Sequence, residues 1–322
     1  MKRVLVTGAS GFIGRHLLHS LHLEGSNTVA LLRRSAGAQR LESPASIASF
    51  DLAKPEELAV SGISGADVIY HLAAHVHVMR GTAQDELRFQ QFNARATSVL
   101  AEKAACAGIR KFVYLSSIKV NGEQTSQHAF TESDIPAPED AYGRSKLEGE
   151  RAVMAVAEKT GMQCVIVRPP LVYGSGVGAN FRRLISLVDA GWPLPFGAIA
   201  NQRSLVSVWN LVDLLIHVAR CEEAANRVWL VSDGQDVSTP QLIELLAKAL
   251  GKATARLFPV PAPMLRALGT VTGGSAQVAR LIDSLQVDIS ATRHVLRWQP
   301  PVSVAAGMER TAAWFKAANH AA

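Results

Sequence analysis

Residues 4–14 read VLVTGASGFIG, a short apolar run followed by glycines at every third position. The run Val4–Val6 predicts a buried strand, and the apolar residues that begin at Phe12 predict a helix directly after it. Glycines in a turn between strand and helix permit a tight bend, close approach of the backbone to a diphosphate and close helix–strand packing. The N–H groups at the helix start add donors and a positive dipole end. The residues predicted to bind a diphosphate here are Gly8, Ser10, Gly11, Phe12, Ile13 and Gly14.

The pattern of strand followed by helix repeats through the first half of the chain. Short runs rich in β-branched residues alternate with longer amphipathic stretches, and the runs lack the polar alternation of a half-exposed strand. Such runs are typical of parallel strands buried between two layers of helices. We therefore predict an α/β fold with a doubly wound parallel sheet of the Rossmann type. The predicted strands are 4–6, 28–32, 47–50, 68–70, 112–115, 164–167 and 228–231, and the main helices are 12–23, 85–107 and 142–159.

The composition of the chain changes after Pro170, where glycine and proline become frequent and the predicted helices shorten. A change of this kind indicates a second, smaller unit built beside the sheet. We predict a dinucleotide-binding domain made of residues 1–168 joined by 205–236. We predict a smaller C-terminal lobe that binds the substrate, made of residues 169–204 and 237–322.

Composition argues against several classes of protein. The chain has 322 residues, 48% of them hydrophobic, and no apolar stretch of the length that a membrane span needs. The apolar stretch Pro259–Leu268 is interpreted as a helix packed in the second lobe, in preference to a contact with a membrane surface. The net charge of +6 agrees with an anionic ligand, but the basic residues are scattered, so we expect no nucleic-acid partner. Three cysteines without metal-ligand spacing predict reduced thiols, no metal site and a cytoplasmic protein.

Two arginines after the second predicted strand bear on the choice of cofactor. A carboxylate at that point accepts hydrogen bonds from the adenosine ribose of NAD, whereas an arginine pairs with the 2′-phosphate of NADP. Arg33 and Arg34 stand there with no acidic residue beside them. Guanidinium groups favour phosphate over hydroxyl, so NADP(H) is the favoured cofactor and NAD(H) the alternative. Solvated surface arginines would leave the choice open.

The segment Tyr142–Lys146 carries the predicted chemistry. Tyr142 and Lys146 are four residues apart at the start of a predicted helix, so they share one face. A free tyrosine has a pKa near ~10, and a lysine ammonium and an oxidised nicotinamide beside it would lower that pKa toward neutrality. Ser117 follows the strand 112–115, at the carboxyl edge where such sheets bind ligands. We predict that Ser117, Tyr142 and Lys146 are catalytic and that Lys146 also holds the nicotinamide ribose.

With these residues in place, the chain resembles the extended short-chain dehydrogenase/reductases, in particular the NAD-dependent epimerase/dehydratase family. The likeness covers nearly the whole chain and includes His71–Ala74 and Arg168–Pro170. It is closest to the branch typified by UDP-glucose 4-epimerase, which includes 4-keto reductases that form UDP-N-acetylquinovosamine. It implies that Asp51 meets the adenine amine and that Asn93 shapes the active-site backbone. The further cofactor-binding residues that it implies are Asp51, Leu52, Leu72, Ala73, Ala74, Asn93, Lys146 and Pro169.

Two short segments depart from the family's patterns. Sugar-nucleotide 4,6-dehydratases carry an Asp-Glu pair directly after the catalytic hydroxyl residue, where this chain has Ile118 and Lys119. The acid and base for elimination of water are therefore missing, and dehydration is not expected. Epimerases of this branch usually have Val-Tyr-Gly where this chain has Val120–Gly122, which makes Lys119 and Asn121 candidate sugar contacts.

The resemblance also implies contacts to the diphosphate of a UDP-sugar substrate. Asn180 begins a predicted helix, and Arg203 precedes an apolar strand-like run; for each, an exposed polar residue is the alternative. The candidate substrate-binding residues are Ser117, Lys119, Asn121, Tyr142, Asn180 and Arg203.

Three functions are compatible with these residues. The preferred one is NAD(P)H-dependent reduction of a UDP-4-keto-6-deoxy-N-acetylhexosamine, a precursor of surface polysaccharide. The second is a UDP-glucose or UDP-N-acetylglucosamine 4-epimerase that keeps NAD bound. The third is a non-catalytic NADP-binding sensor, and the retention of Ser117, Tyr142 and Lys146 argues against it.

A homodimer is also expected from the resemblance, because related enzymes pack the helices corresponding to 85–107 and 142–159 into a four-helix interface. Small residues such as Ala101, Ala104 and Ala105 would permit close approach there. Packing of these helices on the sheet alone is the alternative.

Overall fold

The structure is a computed structural model that describes residues 3–33, 41, 43, 45–76 and 83–320. Arg34, one of the two predicted cofactor arginines, lies outside the described residues. The strands of the described part are β1 (Arg3–Thr7), β2 (Asn27–Leu32), β3 (Ser46–Ser49), β4 (Val68–His71), β5 (Lys111–Leu115), β6 (Gln163–Arg168), β7 (Leu171–Tyr173), β8 (Leu205–Ser207) and β9 (Arg227–Leu230).

Most of the helices lie close to their predicted positions, and α1 has the predicted bounds. In chain order they are α1 (Phe12–Leu23), α2 (Val60–Ile63), α3 (Ala83–Phe89), α4 (Ala96–Cys106), α5 (Ala141–Thr160), α6 (Ala179–Asp189), α7 (Val208–Arg220), α8 (Thr239–Ala249), α9 (Ala262–Val271), α10 (Ser275–Ile282), α11 (Ser290–Val295) and α12 (Val304–His320).

Seven strands form one parallel sheet in the order β3-β2-β1-β4-β5-β6-β9. The chain moves outward from β1 to β2 and β3, then returns to place β4 on the other side of β1. The reversal between β1 and β4 opens a crevice at the carboxyl edge of the sheet, which is where ligands bind in such folds. The predicted α/β fold with a doubly wound parallel sheet is confirmed.

Both faces of the sheet are buried except at the edge strand β3, which explains the continuous apolar runs of the inner strands. Val4 and Val6 pack into one core with residues of α1 and α7, whereas Leu5 between them packs into a second core with residues of α4 and α5. Successive side chains of a strand point to opposite faces, so a strand with cores on both faces has no polar position.

The long predicted helix 85–107 is interrupted by a π-helical turn. This turn, Gln90–Arg95, separates α3 from α4 and carries the buried Asn93. Single π-helical turns of this kind are frequent at functional sites. In α4, Ala101 and Ala104 are fully buried against the sheet, so they do not provide the close approach of helices expected at a dimer interface.

Three elements of the second half were not predicted or differ from prediction. β7 and β8 form a separate parallel pair of three residues each, too short to stand out in the sequence. The predicted packed helix at Pro259–Leu268 is α9, which buries Leu265 and Gly269 but leaves Met264 and Leu268 exposed. Within the described residues, no helix is long and apolar enough to cross a membrane.

Candidate active site

The glycine turn lies where β1 meets α1, at the opening of the crevice. Gly8 has φ +68°, and a Cβ on it would lie 2.7 Å from the amide nitrogen of Ala73. A Cβ on Gly14 would overlap the carbonyl oxygen of Gly8, and the amide of Gly11 donates to that same oxygen at 2.9 Å. Only glycine fits at Gly8 and Gly14, and the turn presents the amides of Ser10, Phe12 and Ile13 at the helix start.

The opposite wall of the crevice follows β4. Thr7 Oγ1 accepts hydrogen bonds from the amides of Leu72 and Ala73, each at 3.1 Å, and lies 2.7 Å from His71 Nδ1. Burial lowers the pKa of His71 to about 3, so the imidazole is neutral. Thr7 and His71 therefore hold the predicted residues Leu72–Ala74 against the glycine turn. Thr7 is not among the predicted site residues, although a polar residue at the end of an apolar strand is a signal of a functional position.

Asn93 acts on the crevice through the backbone. Its side chain accepts from the amide of His75 at 2.7 Å and donates to the carbonyl of His75 at 3.0 Å and to Ser145 Oγ at 3.1 Å. The π-helical turn thus ties the segment after β4 to α5, which carries the predicted catalytic pair.

The structure brings Ser117, Tyr142 and Lys146 together at the carboxyl edge of β5. Ser117 begins the 3-10 turn Ile118–Val120, which the carbonyl of Pro169 holds by accepting from the amide of Ile118 at 2.9 Å. Ser117 lies close enough to Tyr142 for its hydroxyl to act on the phenol and lower its pKa. Lys146, one helical turn along α5, is buried with Nζ 4.1 Å from the centre of the Tyr114 ring.

The pKa values of Tyr142 and Lys146 shift in the directions that burial favours, upward for the phenol and downward for the ammonium. Burial, assisted by the charge of Asp140, raises the pKa of Tyr142 to about 12 despite the opposing effect of the Ser117 hydroxyl. Burial lowers the pKa of Lys146 to about 7, against the opposing effect of the Glu150 charge. The chain's own groups therefore leave the pKa of Tyr142 above its usual value, and Lys146, about half protonated at neutral pH, does not offset the effect of burial.

A buried ion pair lies behind the catalytic side chains. Arg168 donates to both carboxylate oxygens of Glu150, at 2.9 and 2.6 Å, with each side chain only 4% exposed. Ser116 Oγ donates to the same carboxylate, and Arg168 also donates to Asn121 Oδ1 at 2.9 Å. The pair thus fixes both ends of the turn that carries Ser117. Glu150 was missed, although its spacing from Lys146, four residues on, places it on the same helix face.

Two residues predicted to contact the sugar, Lys119 and Asn121, have partners within the chain. Lys119 Nζ pairs with Glu123 at 2.5 Å and with Asp140 at 2.6 Å, so it ties the serine turn to the start of α5. Asn121 is 3% exposed and divides its amide between Arg168 and the carbonyl of Thr131. These partners engage the polar atoms of Lys119 and Asn121, and contact of the two residues with the sugar stays a prediction.

At the adenine end, the structure places three predicted residues around the crevice. Arg33 is exposed directly after β2. Asp51 Oδ1 accepts from the amide of Ala53 at 3.0 Å, so this carboxylate caps a turn at the position predicted for the adenine contact. Leu52 is half-buried against the core on that side of the sheet.

The predicted diphosphate residues come from separate parts of the second lobe. Asn180 is exposed in the first turn of α6. Arg203 is half-buried and donates to the carbonyl of Asp283 at 2.8 Å, and burial lowers the pKa of its guanidinium. Arg203 is thus anchored by the chain segment that ends α10, whereas Asn180 depends on no contact of this kind.

Comparison with known proteins supplies a family context. Residues 4–232 match the model of the NAD dependent epimerase/dehydratase family. The chain is 42% identical to a UDP-glucose 4-epimerase of Vibrio cholerae, over 99% of this chain and 97% of that protein. It is 30% identical to a UDP-glucose 4-epimerase of Mycolicibacterium smegmatis, over 98% of each. A Bacillus cereus UDP-glucuronic acid 4-epimerase, solved with UDP-glucuronic acid and NAD, has a TM-score of 0.78 at 24% identity and covers 98% of this chain and 99% of its own.

Proposed function

The chain belongs to the NAD dependent epimerase/dehydratase family, and we propose that it is a UDP-sugar 4-epimerase that oxidises and then reduces C4 of a UDP-hexose. The observation that carries this proposal is the convergence of Ser117, Tyr142 and Lys146 beside the glycine-lined crevice. The identity of 42% with a UDP-glucose 4-epimerase, across 99% of this chain, supports the same reaction.

The residues of the crevice fit a nicotinamide dinucleotide. The absent side chains of Gly8 and Gly14 leave room for a diphosphate at the start of α1, and Leu72–Ala74 form the facing wall. Lys146 and Pro169 lie at the end expected to hold the nicotinamide and its ribose. When bound, the oxidised nicotinamide supplies a hydride acceptor and a positive charge.

The chain's own residues move the proton of the reaction. In the oxidising half, the Tyr142 phenolate accepts the proton of the C4 hydroxyl as that carbon loses its hydride; in the reducing half, the phenol returns the proton. Ser117 hydrogen-bonds the reacting oxygen and orients it toward Tyr142. Protonated Lys146 would stabilise the phenolate, since opposite charges attract more strongly in a buried site than in water.

The sugar nucleotide would lie between this edge and a substrate lobe made of residues 169–204 and 237–322. Arg203 is our candidate for the charged partner of the diphosphate, since a half-buried guanidinium gives a stronger phosphate contact than an exposed one. Asn180 is the candidate for a second contact, through the N–H groups at the start of α6.

The test is a product assay by NMR with UDP-glucose, UDP-galactose, UDP-N-acetylglucosamine and UDP-glucuronic acid. We expect interconversion of C4 epimers with no net consumption of cofactor, and loss of the reaction in Ser117→Ala. Failure to interconvert any of these sugars would contradict the proposal. Mass spectrometry of nucleotides released from the purified protein identifies the resident cofactor in the same preparation.

A second candidate is an NADPH-dependent reductase of a UDP-4-keto-6-deoxy sugar. The observation that favours it is Arg33, an exposed cation after β2 with no acidic residue at 33–41. Stoichiometric consumption of NADPH with a 4-keto sugar, and no epimer interconversion, would decide for it. Arg33→Asp should then shift the preference from NADPH toward NADH, which a ratio of kcat/KM values measures.

We also propose that two chains associate through the outward faces of α4 and α5, which pack against each other beside the sheet. Light scattering on the purified protein should give twice the mass of 34.5 kDa. A monomeric mass at micromolar concentration would contradict this assembly.

A further inference from the structure

Helix α9 carries an exposed apolar face, with the exposed Arg266 and Thr270 on one flank. Leu265 and Gly269 point inward, whereas Met264, Leu268 and Val271 are 64%, 58% and 86% exposed. Pro263 and Ala267 complete this outward face and are also exposed. Surface helices of water-soluble domains normally carry polar side chains on the side away from the core. A continuous apolar helix face of this kind marks a contact surface.

The segment before α9 extends this surface. Arg256 and Phe258 are two residues apart in an extended stretch that pairs with residues 194–197, and both are exposed. Trp192, 62% exposed, lines a surface cavity of about 220 Å³ together with Lys252 and Arg256. We call Trp192, Arg256, Phe258 and the outward face of α9 the apolar ridge. Aromatic and aliphatic side chains beside basic ones are the composition of helices that lie in a membrane interface.

The charged residues of the segment 245–282, which contains α9, are all basic. Residues 245–282 contain no aspartate and no glutamate, but they include Lys248, Lys252, Arg256, Arg266 and Arg280. Arg266 pairs with Asp283, and Lys252 lies 3.8 Å from Asp189. Lys248, Arg256 and Arg280 are exposed, and the structure shows no ion pair for them among the described residues. Arg256 belongs to the apolar ridge itself, and an exposed cation beside an apolar face complements an anionic lipid surface.

We propose that the apolar ridge binds the surface of an anionic lipid bilayer, with the apolar side chains at the acyl boundary and the cations at the headgroups. A second copy of this chain fits the ridge less well, since a two-fold contact brings the same patch of each copy together and opposes like charges. The contact is peripheral, because α9 has ten residues and cannot cross a bilayer.

The ridge is joined to the candidate substrate lobe through Asp283. Its side chain accepts from Arg266 of α9 at 2.5 Å, and its carbonyl accepts from Arg203 at 2.8 Å. Binding to a bilayer would therefore place the diphosphate end of the substrate pocket close to the membrane surface. The proposal does not depend on which reaction the pocket catalyses.

The test is co-sedimentation of the full-length protein with vesicles of phosphatidylcholine containing phosphatidylglycerol, compared with phosphatidylcholine alone. We expect binding to the anionic vesicles only, with weaker binding at high salt. The double substitution Met264→Glu and Leu268→Glu should lower the partition coefficient roughly tenfold or more, because it removes two apolar contacts and adds two negative charges. The matched control is Leu23→Glu with Leu87→Glu, two exposed leucines outside the ridge, at 73% and 69% exposure.

Three results would overturn the proposal: no sedimentation of the wild type with anionic vesicles, equal binding by the α9 variant, or equal loss in the control variant. Light scattering over a range of concentrations examines the competing occupant. Self-association that the α9 variant abolishes, without lipid binding by the wild type, would assign the ridge to a second copy. Circular dichroism of both variants should match the wild type, since all four positions are exposed.

Discussion

The catalytic edge of the sheet and the substrate lobe differ in how their polar side chains are held. At the edge, Glu150 and Arg168 are buried and hydrogen-bond each other and both ends of the serine turn. In the lobe, Asn180 is exposed and Arg203 has one carbonyl partner. The difference indicates that a rigid buried network preorganises the candidate catalytic residues, whereas the candidate diphosphate contacts are open to a ligand.

The largest effect that tests this comparison is expected for Tyr142→Phe. The variant keeps the ring and its packing but loses the proton donor, so kcat should fall roughly a thousandfold. Binding of the dinucleotide, followed by fluorescence, should be retained. Tyr70→Phe, which removes a hydroxyl from the buried core of the sheet, is the control and should keep most of the activity. Substantial turnover by Tyr142→Phe would show that another group transfers the proton.

The rigidity of the edge is tested by Glu150→Gln. Removing the charge from one member of a buried ion pair leaves Arg168 uncompensated, and we expect a loss of about 3 kcal/mol in the free energy of unfolding in urea. Glu148→Gln, two residues earlier on α5, removes a carboxylate that bonds Gln90 on an exposed face and should cost well under about 1 kcal/mol. Similar losses in the two variants would contradict a special role for the buried pair.

The charge of Lys146 makes stability depend on pH. Its pKa is about 7 in the folded protein and 10.5 when free, so the unfolded chain binds more protons between these values. Wild-type stability should therefore rise with pH across this window. Lys146→Met removes the cost of a buried ammonium and should stabilise the nucleotide-free protein by about 2 kcal/mol at pH 6, and by much less near pH 10. Thermal unfolding at several pH values measures this, and a pH-independent difference would be the contrary result.

The smallest effects are expected in the substrate lobe. Arg203→Ala should weaken UDP binding about tenfold by calorimetry, because it removes a charge-assisted contact to the diphosphate. Asn180→Ala should weaken it less than about threefold, since an exposed amide is replaced by water at little cost. A larger loss for Asn180 than for Arg203 would reverse our view of which side chain anchors the diphosphate.

Local signals in the sequence were sufficient to predict which residues meet at the carboxyl edge of the sheet. Helix α1, the glycine turn, and the approach of Ser117 to Tyr142 follow from a strand, a turn and a helix read in order, because parallel strands must end at one edge. The single long helix predicted at 85–107 contains a π-helical turn at Asn93, and no local sequence pattern predicts such a turn. The partners of Lys119 and Asn121, which are Asp140 and Arg168, lie 21 and 47 residues away, so no local pattern predicts these contacts.

The sequence by itself determined the sheet, the glycine turn and the types of residue at the carboxyl edge, since each depends on neighbours within a few positions. Only the tertiary structure decided the pKa directions of Tyr142 and Lys146, the Glu150–Arg168 pair and the exposure of α9. Burial and ion pairing depend on which distant segments pack together, and a pattern of local residues does not contain that information.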